Sequence, residues 1–433
     1  METLQVTRSN TLSTFRLFEG ARRVNYATRN KWFIASSYSL SRSFIVCGIA
    51  GIVSLDGSEV PPDIAYEMTI SLEHRGPNDS GDWSSRLCSL SHRRLSIIDL
   101  SHSGRQPLSN EDATLQLTCN GEIYNFREIR TELQQLGHRF VSDTDSEVIV
   151  HLYEEVEGDP DALLSRLDGM FAFGLWDSKR RRLLLARDRL GVKPLMYSQK
   201  AGFLLFASEA KAIFKSGLVE AKPLARAIFS YLLLRHPPSP TTMYEEINSL
   251  PSGHYLLAEV NKGVEIRQYW DIPVALSKSE GIQPERIHAL VSAAIRKRLV
   301  SDVPVGAYLS GGLDSSIVAT VMAKEMGGNL KTYAVGFGDL DLDELSYARS
   351  VAQRIGSDHS EVILEKDDYF DLLPGLIEKR DAPLSVPNEP PLYALSKALK
   401  EDITVVLSGE GADELFGGYS DYHGMGFDYA KAK

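Results

Sequence analysis

Short apolar runs separated by turn residues make up most of the chain between residue 47 and about residue 235. Runs of this length that end at Gly, Asn or Asp predict β-strands, here at 47–55, 87–90, 95–100, 115–119, 170–177, 182–188 and 202–208. Apolar residues spaced three or four apart predict helices, here at 61–73, 125–137, 145–156 and 161–167. This mixture of strands and interposed helices predicts an α+β sandwich.

From about residue 281 the pattern changes to a strict alternation of strand and helix signals. It predicts strands at 305–309, 332–337, 361–364 and 404–407, and helices from Pro284 and at 315–326, 343–355, 367–379 and 389–400. Such alternation indicates a doubly wound parallel sheet, on which ligands bind at the carboxyl ends of the strands. Residues 236–280 are predicted to be an ordered linker with one hairpin, at 253–260 and 265–270.

The composition is that of an ordinary globular protein. The 433 residues are 43% hydrophobic and allow two or three domains that each bury a core. No apolar run reaches the roughly 18 residues of a membrane span, and the net charge of −11 argues against a nucleic-acid-binding protein. The three cysteines, Cys47, Cys88 and Cys119, predict no disulfide framework and favour a reducing, cytoplasmic compartment.

Residues 1–46 differ in character from the rest of the chain. Seven Arg and Lys residues against two Glu give this stretch a net charge of +5, so the remainder carries −11 − 5 = −16. Its many Ser and Thr residues resemble an organellar transit peptide, and a pro-segment is a second interpretation. A third is a start set too far upstream, because a bacterial GUG start codon reads as Val46 inside a longer frame. We therefore expect the functional chain to begin after Val46.

The loop at 310–316 has the sequence Ser-Gly-Gly-Leu-Asp-Ser-Ser and joins a predicted strand to a predicted helix. Its glycines let successive backbone N–H groups converge on an anion, and the start of the helix adds a favourable field. Its serines offer hydroxyl donors, and Asp314 can hold Mg²⁺. The spacing and the lack of a lysine exclude a Walker A loop. We predict a phosphate-binding loop, the alternative being an ordinary Gly-rich turn.

A second loop, Leu-Ser-Gly-Glu-Gly-Ala-Asp-Glu at 407–414, follows the last predicted strand. In a doubly wound sheet it lies at the same carboxyl edge as the first loop. Its carboxylates and glycines suit metal binding and a close approach of the backbone to a ligand. A solvated acidic loop is the alternative interpretation.

Cys47 begins the first predicted strand, where a cysteine is usually a packed small hydrophobic residue. No histidine forms a convincing catalytic pair with it, and we interpret His74, His92 and His138 as structural. A free α-amino group on Cys47 could serve as the base instead, as in N-terminal-nucleophile enzymes. This chemistry requires Cys47 to be the first residue of the chain.

Other polar residues match the needs of an amino-acid substrate. Its carboxylate requires a guanidinium, which Arg94 offers, and its ammonium group requires carboxylates, which Glu122 and Asp145 offer. A reacting amide also needs two oxyanion donors, for which the candidates are the Asn120 side chain and the Gly121 N–H. With a nucleophilic cysteine, this set predicts cleavage of an amide on an amino acid.

Together these residues resemble the glutamine-hydrolysing asparagine synthetases. The segments that carry the resemblance follow one another in matching order from residue 47 to about residue 420. They are Cys-Gly-Ile-Ala-Gly (47–51), His-Arg-Gly-Pro (74–77), Arg-Leu-Ser-Ile-Ile-Asp (94–99), Asn-Gly-Glu-Ile-Tyr-Asn (120–125), Gly-Met-Phe-Ala-Phe (169–173), and the two loops at 310–316 and 407–414.

The resemblance implies an αββα N-terminal-nucleophile domain, a class II glutamine amidotransferase, over 47–235. It implies a PP-loop ATP pyrophosphatase domain over 281–433, incomplete at its C-terminus because family members continue further. Cys47 would release ammonia from glutamine through a thioester. ATP would adenylate the aspartate β-carboxylate, with Glu410 supporting β-aspartyl-AMP formation. Ammonia arriving through an internal tunnel would displace AMP to give asparagine.

The resemblance also implies which residues meet the nucleotide. Contacts to ATP would come from Leu309, Ser310, Gly311, Gly312, Asp314, Ser315, Val335, Ser408 and Gly409. Asp314 and Asp413 would hold Mg²⁺. The substrates would be glutamine, aspartate and ATP, and a homodimer is compatible with the family.

Two other functions stay open at this point. A relative could amidate a different carboxylate, because the motifs do not specify the acceptor. The chain could also be an inactive, truncated fragment that serves as a binding or regulatory module. Relatives that form β-lactams typically lack the nucleophilic cysteine and are disfavoured.

Overall fold

The computed structural model describes residues 46–273, 283–338 and 343–419. Three parts of the predicted organisation lie outside the described residues: residues 1–45 of the N-terminal stretch with its three interpretations, the end of the predicted linker, and the part of the predicted second domain after residue 419. Among the helices of the described ranges, none is both long and apolar enough to cross a membrane.

The first domain is built from short strands and helices. In chain order these are β1 (Gly48–Ser54), α1 (Ile64–Ile70), β2 (Asp79–Ser84), β3 (Cys88–Arg94), β4 (Leu108–Ser109), β5 (Leu115–Ile123), α2 (Phe126–Leu136), α3 (Val148–Glu155), α4 (Pro160–Arg166), β6 (Gly169–Asp177), β7 (Arg182–Arg187), β8 (Met196–Lys200), β9 (Phe203–Ala207), α5 (Ala210–Lys215), α6 (Ala225–Leu234), β10 (Asn248–Ser249), β11 (His254–Glu259) and β12 (Gly263–Gln268). They form two six-stranded sheets, ordered β10-β8-β9-β1-β3-β2 and β12-β11-β7-β6-β5-β4. Neighbouring strands run antiparallel in both.

The two sheets pack face to face because side chains alternate between the two faces of each strand. In β1, Ile49 and Val53 enter the core between the sheets, whereas Ala50 and Ile52 enter a second core beneath α1 and α5. A third core packs the other sheet against α2, α3 and α4. The layers are therefore helix, sheet, sheet and helix, which confirms the predicted α+β sandwich.

The second domain alternates strands and helices. These are α7 (Pro284–Lys297), β13 (Val305–Tyr308), α8 (Leu313–Glu325), β14 (Lys331–Gly336), α9 (Leu345–Ile355), β15 (Asp358–Ile363), α10 (Lys366–Arg380), α11 (Glu389–Leu399), β16 (Val405–Leu407) and α12 (Ala412–Phe416). The strands form one parallel sheet in the order β15-β14-β13-β16. Ala307 packs in a core with α7, α8 and α9, and its neighbour Tyr308 packs with α11 on the opposite face. Helices on both faces confirm the doubly wound parallel sheet.

The strand order places β13 between β14 and β16. The chain leaves β13 toward β14 and later returns to the other side of β13 at β16. Open parallel sheets bind ligands at such a switch point, outside the carboxyl ends of the strands. The two loops that follow β13 and β16 therefore flank the position where a ligand is expected.

One prediction of local structure is wrong. Residues 95–100, predicted as a strand, form an irregular loop in which Asp99 has a φ of 57°. Backbone carbonyls of this loop accept hydrogen bonds from Arg94 rather than from a strand. The hairpin predicted within the linker forms as β11 and β12. It pairs through β11 with β7 and buries Leu256 between the sheets. It is part of the first domain.

Gly51 occupies a position where the two sheets leave no room for a side chain. A Cβ there would lie 2.4 Å from Cε1 of Phe206 and 2.9 Å from Cδ2 of Leu90. We expect Gly51→Ala to lower the free energy of unfolding by ~1–3 kcal/mol, the usual cost of overpacking. The control is Gly375→Ala in α10, where the Cβ position is open and a gain of ~0.5–1 kcal/mol is expected. Urea unfolding followed by circular dichroism measures both free energies. An unchanged free energy of unfolding in Gly51→Ala would contradict the close packing of Phe206 and Leu90 against Gly51.

Candidate active sites

A cavity lies in the first domain where β1 begins and where β3 and β5 end. Its volume is about 570 Å³, part of it open to solvent. All the residues predicted to bind and cleave an amide line it, namely Cys47, Arg94, Asn120, Gly121, Glu122 and Asp145. The cysteine precedes β1 of one sheet, whereas the oxyanion candidates lie in β5 of the other. The face-to-face packing of the sheets therefore brings them together.

A buried ion pair holds the start of β1 in place. Nε of Arg75 donates to the carbonyl of Cys47 at 3.1 Å, and Nη1 donates to Oε1 of Glu209 at 2.7 Å. Burial alone would raise the pKa of Glu209, but Arg75 and His74 hold that pKa well below its usual range. The carboxylate is therefore ionised, and the guanidinium that it pairs with also holds the backbone of Cys47.

The thiol of Cys47 is half-buried and has no imidazole partner. Its Sγ accepts a hydrogen bond from the N–H of Leu95 at 3.4 Å. Burial raises the thiol pKa, and the Leu95 N–H, Lys193 and nearby arginines offset this only in part. No histidine lines the cavity among the residues that the structure describes. His92 instead contacts the carbonyl of Cys119 at 3.1 Å, and burial lowers its pKa to about 3.

Asn120 presents a donor that lacks a partner. Its side chain is 1% exposed, and within the described ranges Nδ2 has no hydrogen-bond partner. Its neighbour across the ladder, Ala172, packs in the core between the sheets. A buried donor left unpaired costs about 1–3 kcal/mol. An oxyanion in the cavity would satisfy it.

The N–H of Gly121 points away from β6. Gly121 pairs with Phe171, whose N–H and C=O are both taken up by Asp188 on the other side of β6. In an antiparallel ladder such a pair exchanges no backbone hydrogen bonds, so both residues turn their polar groups outward. A Cβ on Gly121 would lie 2.4 Å from the carbonyl of Met170. The position therefore requires glycine and leaves its N–H facing the cavity side.

Two carboxylates line the cavity near the end of β5. Oδ2 of Asp145 accepts a hydrogen bond from the N–H of Ile123 at 2.7 Å. Burial raises the pKa of Asp145 to about 6, and burial together with the charge of Asp145 raises that of Glu122 to about 8. Two acids that resist ionisation next to each other form a site for a cationic group.

Arg94 organises the loop that closes the cavity. Its guanidinium donates to the carbonyls of Ser101 at 2.7 Å and Ile98 at 3.4 Å, and also to that of Asp99. Gly104 packs so closely that a Cβ there would lie 2.0 Å from Nη2 of Arg94. The guanidinium has five N–H donors, so those not taken by carbonyls can meet a carboxylate.

Lys193 lines the same cavity and was not predicted from the sequence. Its side chain is 7% exposed, and among the described residues its ammonium group has no ion pair. Burial and Arg75 lower the pKa of Lys193, whereas Cys47 and Glu122 act in the opposite direction. Asp188 accepts the N–H of Lys193 at 3.0 Å and fixes the loop. The sequence feature that could have revealed Lys193 is its position as a single lysine among the apolar residues after β7.

In the second domain the loop after β13 forms a tight turn into α8. Gly311 has a φ of 79°, and a Cβ there would lie 2.5 Å from the N of Ala348 in α9. Oγ of Ser310 lies 3.0 Å from Oγ of Ser315. The loop after β16 lies against this turn, because a Cβ on Gly409 would lie 2.6 Å from the N of Ser315. The two predicted nucleotide loops are therefore in contact.

The other predicted nucleotide contacts lie at the same edge of the sheet. Leu309 directly follows β13 and donates its N–H to the carbonyl of Tyr333 at 2.8 Å. Val335 lies in the neighbouring β14 and is half-buried. Ser408 follows β16 and accepts the N–H of Glu410 through its hydroxyl at 3.3 Å.

Acidic side chains gather beside these loops. Burial and the charge of Asp413 raise the pKa of Asp314. Burial, together with Glu414 and Asp413, raises the pKa of Glu410 to about 7. The contact of the two loops thus brings carboxylates of both into one group, whose mutual repulsion a cation would relieve.

Comparison with known proteins gives this arrangement a family. The glutamine amidotransferase domain family matches residues 46–270, and the asparagine synthase family matches residues 286–430. A Methanocaldococcus jannaschii protein assigned as a second glutamine-hydrolysing asparagine synthetase is 33% identical, over 89% of this chain and 78% of that protein. The chain belongs to the glutamine-hydrolysing asparagine synthetase family. The resemblance drawn from the motifs is confirmed.

Other members of the family are longer than this chain. Glutamine-hydrolysing asparagine synthetase 1 of Bacillus subtilis is 34% identical, over 87% of this chain and 59% of that protein. Amidase chry2 of Gibberella zeae is 33% identical, over 87% of this chain and 60% of that protein. The chain therefore spans about three-fifths of the length of these two relatives.

We expect Lys193→Met to make the thiol of Cys47 less acidic. A nearby positive charge favours the thiolate, so its removal should move the pH profile of Cys47 alkylation by iodoacetamide upward by about one pH unit. Mass spectrometry of the peptide that contains Cys47 separates its reaction from that of the buried cysteines. Lys193→Arg keeps the charge and is the matched control. Identical profiles for Lys193→Met and the unchanged chain would show that Lys193 does not act on the thiol.

Proposed function

We propose that this chain makes asparagine from aspartate and ATP, using ammonia that it releases from glutamine. The observation that carries the proposal is the cavity at Cys47. It combines a thiol, an unpartnered buried amide donor and two carboxylates of raised pKa. Membership of the family and the acidic group beside the loops of the second domain support the synthetase half.

Glutamine would bind in the first domain through its amino-acid end. Its α-carboxylate would meet the remaining N–H donors of Arg94, and its α-ammonium would lie between Glu122 and Asp145. The side-chain carbonyl would then accept hydrogen bonds from Nδ2 of Asn120 and the N–H of Gly121. This orientation presents the amide carbon to the thiol.

The thiol of Cys47 would transfer its proton to the free α-amino group of the same residue and attack the amide carbon. As the C–S bond forms, the carbonyl electrons move to oxygen, where the two donors stabilise the charge. The α-ammonium then protonates the amide nitrogen, and the C–N bond breaks. Ammonia departs, and the γ-glutamyl group remains bound to Cys47 as a thioester. Water hydrolyses the thioester, which releases glutamate and restores the thiol.

ATP would bind in the second domain at the switch point beside β13. The N–H groups and hydroxyls of residues 310–316 would hold the phosphates, and Leu309, Val335, Ser408 and Gly409 would contact the rest of the nucleotide. Asp314 and Asp413 supply the carboxylate oxygens that Mg²⁺ prefers. When bound, Mg²⁺ neutralises phosphate charge during transfer.

Aspartate would react with the α-phosphate of ATP through its β-carboxylate, releasing pyrophosphate. Glu410 would support this step from the loop after β16, where a pKa of about 7 lets it exchange a proton near neutrality. Ammonia would then attack the β-aspartyl-AMP and displace AMP. The unpaired thiols and their burial fit a reducing, cytoplasmic setting.

Amidation of a carboxylate other than that of aspartate is a second candidate function. Amidase chry2 and the Bacillus subtilis protein each match 87% of this chain. The thiol site would serve equally for amidation of another carboxylate, because it handles only glutamine. Pyrophosphate release that needs a carboxylic acid other than aspartate would favour this alternative.

We expect the chain that begins at Cys47 to hydrolyse glutamine to glutamate, and Cys47→Ala to abolish this activity. Ammonium-dependent formation of asparagine from aspartate and ATP should survive Cys47→Ala, because the two sites lie in different domains. The chain that keeps residues 1–46 lacks the free α-amine and should not hydrolyse glutamine. Full glutaminase activity of that chain, shown to be intact by mass spectrometry, would refute the α-amine as base.

We expect glutamine binding to weaken as the pH falls from 8 to 6. With pKa values of about 8 and about 6, Glu122 and Asp145 take up protons over this range. A bound ammonium group needs them ionised, so binding lowers both pKa values and releases protons. The KM for glutamine should rise by roughly tenfold or more from pH 8 to pH 6, and less steeply in Glu122→Gln. A KM independent of pH in the unchanged chain would rule out this carboxylate pair.

A further inference from the structure

A group of metal-ligating side chains lies in the first domain outside the glutamine cavity. Glu111 precedes β5, His138 follows α2, and His151 and Glu154 lie on one face of α3. One ligand atom from each of these residues lies within 4.8 Å of the others. None of them lines the cavity at Cys47. The group therefore needs an explanation of its own.

The buried imidazole of His151 lacks hydrogen-bond partners among the described residues. It is 1% exposed, and neither ring nitrogen makes a hydrogen bond of good geometry within the ranges that the structure describes. Nδ1 lies 3.3 Å from Oε2 of Glu111 and 4.0 Å from Oε2 of Glu154. Oε2 of Glu154 is also buried without a hydrogen bond there. A nitrogen and an oxygen, both buried and unsatisfied, therefore face each other across a short gap.

The carboxylate of Glu111 lies between the two imidazoles. Oε1 is 3.3 Å from Nδ1 of His138, and Oε2 is 3.3 Å from Nδ1 of His151. The other nitrogen of each ring faces a further carboxylate, that of Glu155 at 2.9 Å and that of Glu147 at 3.6 Å. Histidines that bind metals commonly turn their second nitrogen to a carboxylate in this way.

The charge of the group also favours a cation. Glu111, Glu147, Glu154 and Glu155 surround two imidazoles, and none of the four forms an ion pair with Lys or Arg among the described residues. One carboxylate oxygen of Glu111 and one of Glu154 lie within 4.8 Å of each other and of a nitrogen of each imidazole. A divalent cation between these carboxylates would compensate their charge, and like charges this close are otherwise costly.

We propose that Glu111, His138, His151 and Glu154 form a binding site for a divalent transition metal of the Zn²⁺ type. Imidazole nitrogens together with carboxylate oxygens suit Zn²⁺, whereas Mg²⁺ and Ca²⁺ prefer oxygen ligands alone. The metal would join the loop before β5, the turn after α2 and the helix α3. The turn into α3 carries Asp145, so the metal would stiffen the segment that positions this carboxylate.

The test uses the full chain after treatment with a chelator and dialysis. Titration calorimetry with ZnCl₂ should show stoichiometric binding, and Zn²⁺ but not Mg²⁺ should raise the melting temperature. Co²⁺ should give the visible absorption bands of a tetrahedral site, and Zn²⁺ should remove them. None of these readouts depends on glutaminase or synthetase activity.

Variants separate this site from adventitious binding. Glu155→Gln removes an outer carboxylate and should weaken Zn²⁺ binding by roughly 10- to 100-fold, and loss of a ligand in His138→Gln or Glu111→Gln should weaken it further. His102→Gln is the matched control, because its side chain is 96% exposed and lies outside the group. Circular dichroism shows that each variant is folded. Absence of Zn²⁺ binding, or equal binding by the folded ligand variants and His102→Gln, would overturn the proposal.

Discussion

The arrangement of the first domain depends on the buried ion pair between Arg75 and Glu209. Arg75 is 1% exposed and Glu209 is 3% exposed, and the guanidinium also holds the carbonyl of Cys47. Breaking a buried pair by removing one partner costs about 3–5 kcal/mol, because the remaining charge is left uncompensated. His74 and Lys211 also contact this carboxylate. The position of the thiol is therefore set by a charge network that lies outside the cavity.

Both candidate sites contain polar groups that the fold itself does not satisfy. Among the described residues Nδ2 of Asn120 lacks an acceptor, and burial raises the pKa values of Glu122 and Asp145. In the second domain Asp314 and Glu410 have raised pKa values for a similar reason. Groups held in place without partners cost stability in the free protein. They also need little reorganisation when a substrate arrives, which is how such sites stabilise developing charge.

The second domain contributes to the surroundings of the cavity at Cys47. Oδ2 of Asp302 accepts the N–H of Asp99 at 2.8 Å, and the N–H of Asp302 donates to the carbonyl of Ile97 at 2.9 Å. Both partners belong to the loop that wraps the guanidinium of Arg94. The guanidinium of Arg298 lies 4.7 Å from the ring centre of Tyr124, close to the end of β5. The shape of the loop that wraps Arg94 therefore depends on contacts between the two domains.

The sequence by itself determined the two kinds of sheet and the identity of the residues at their strand ends. Short apolar runs between turn residues and the switch to strand–helix alternation report burial, which local side chains decide. Tertiary structure alone decided features that rest on contacts between distant segments. The edge strand β2 is mostly polar and carries no apolar run. The loop after β3 is shaped by Arg94, and the turn that carries Lys193 into the cavity is held by Asp188. Charges and hydrogen bonds act across space, so their partners cannot be read from spacing along the chain.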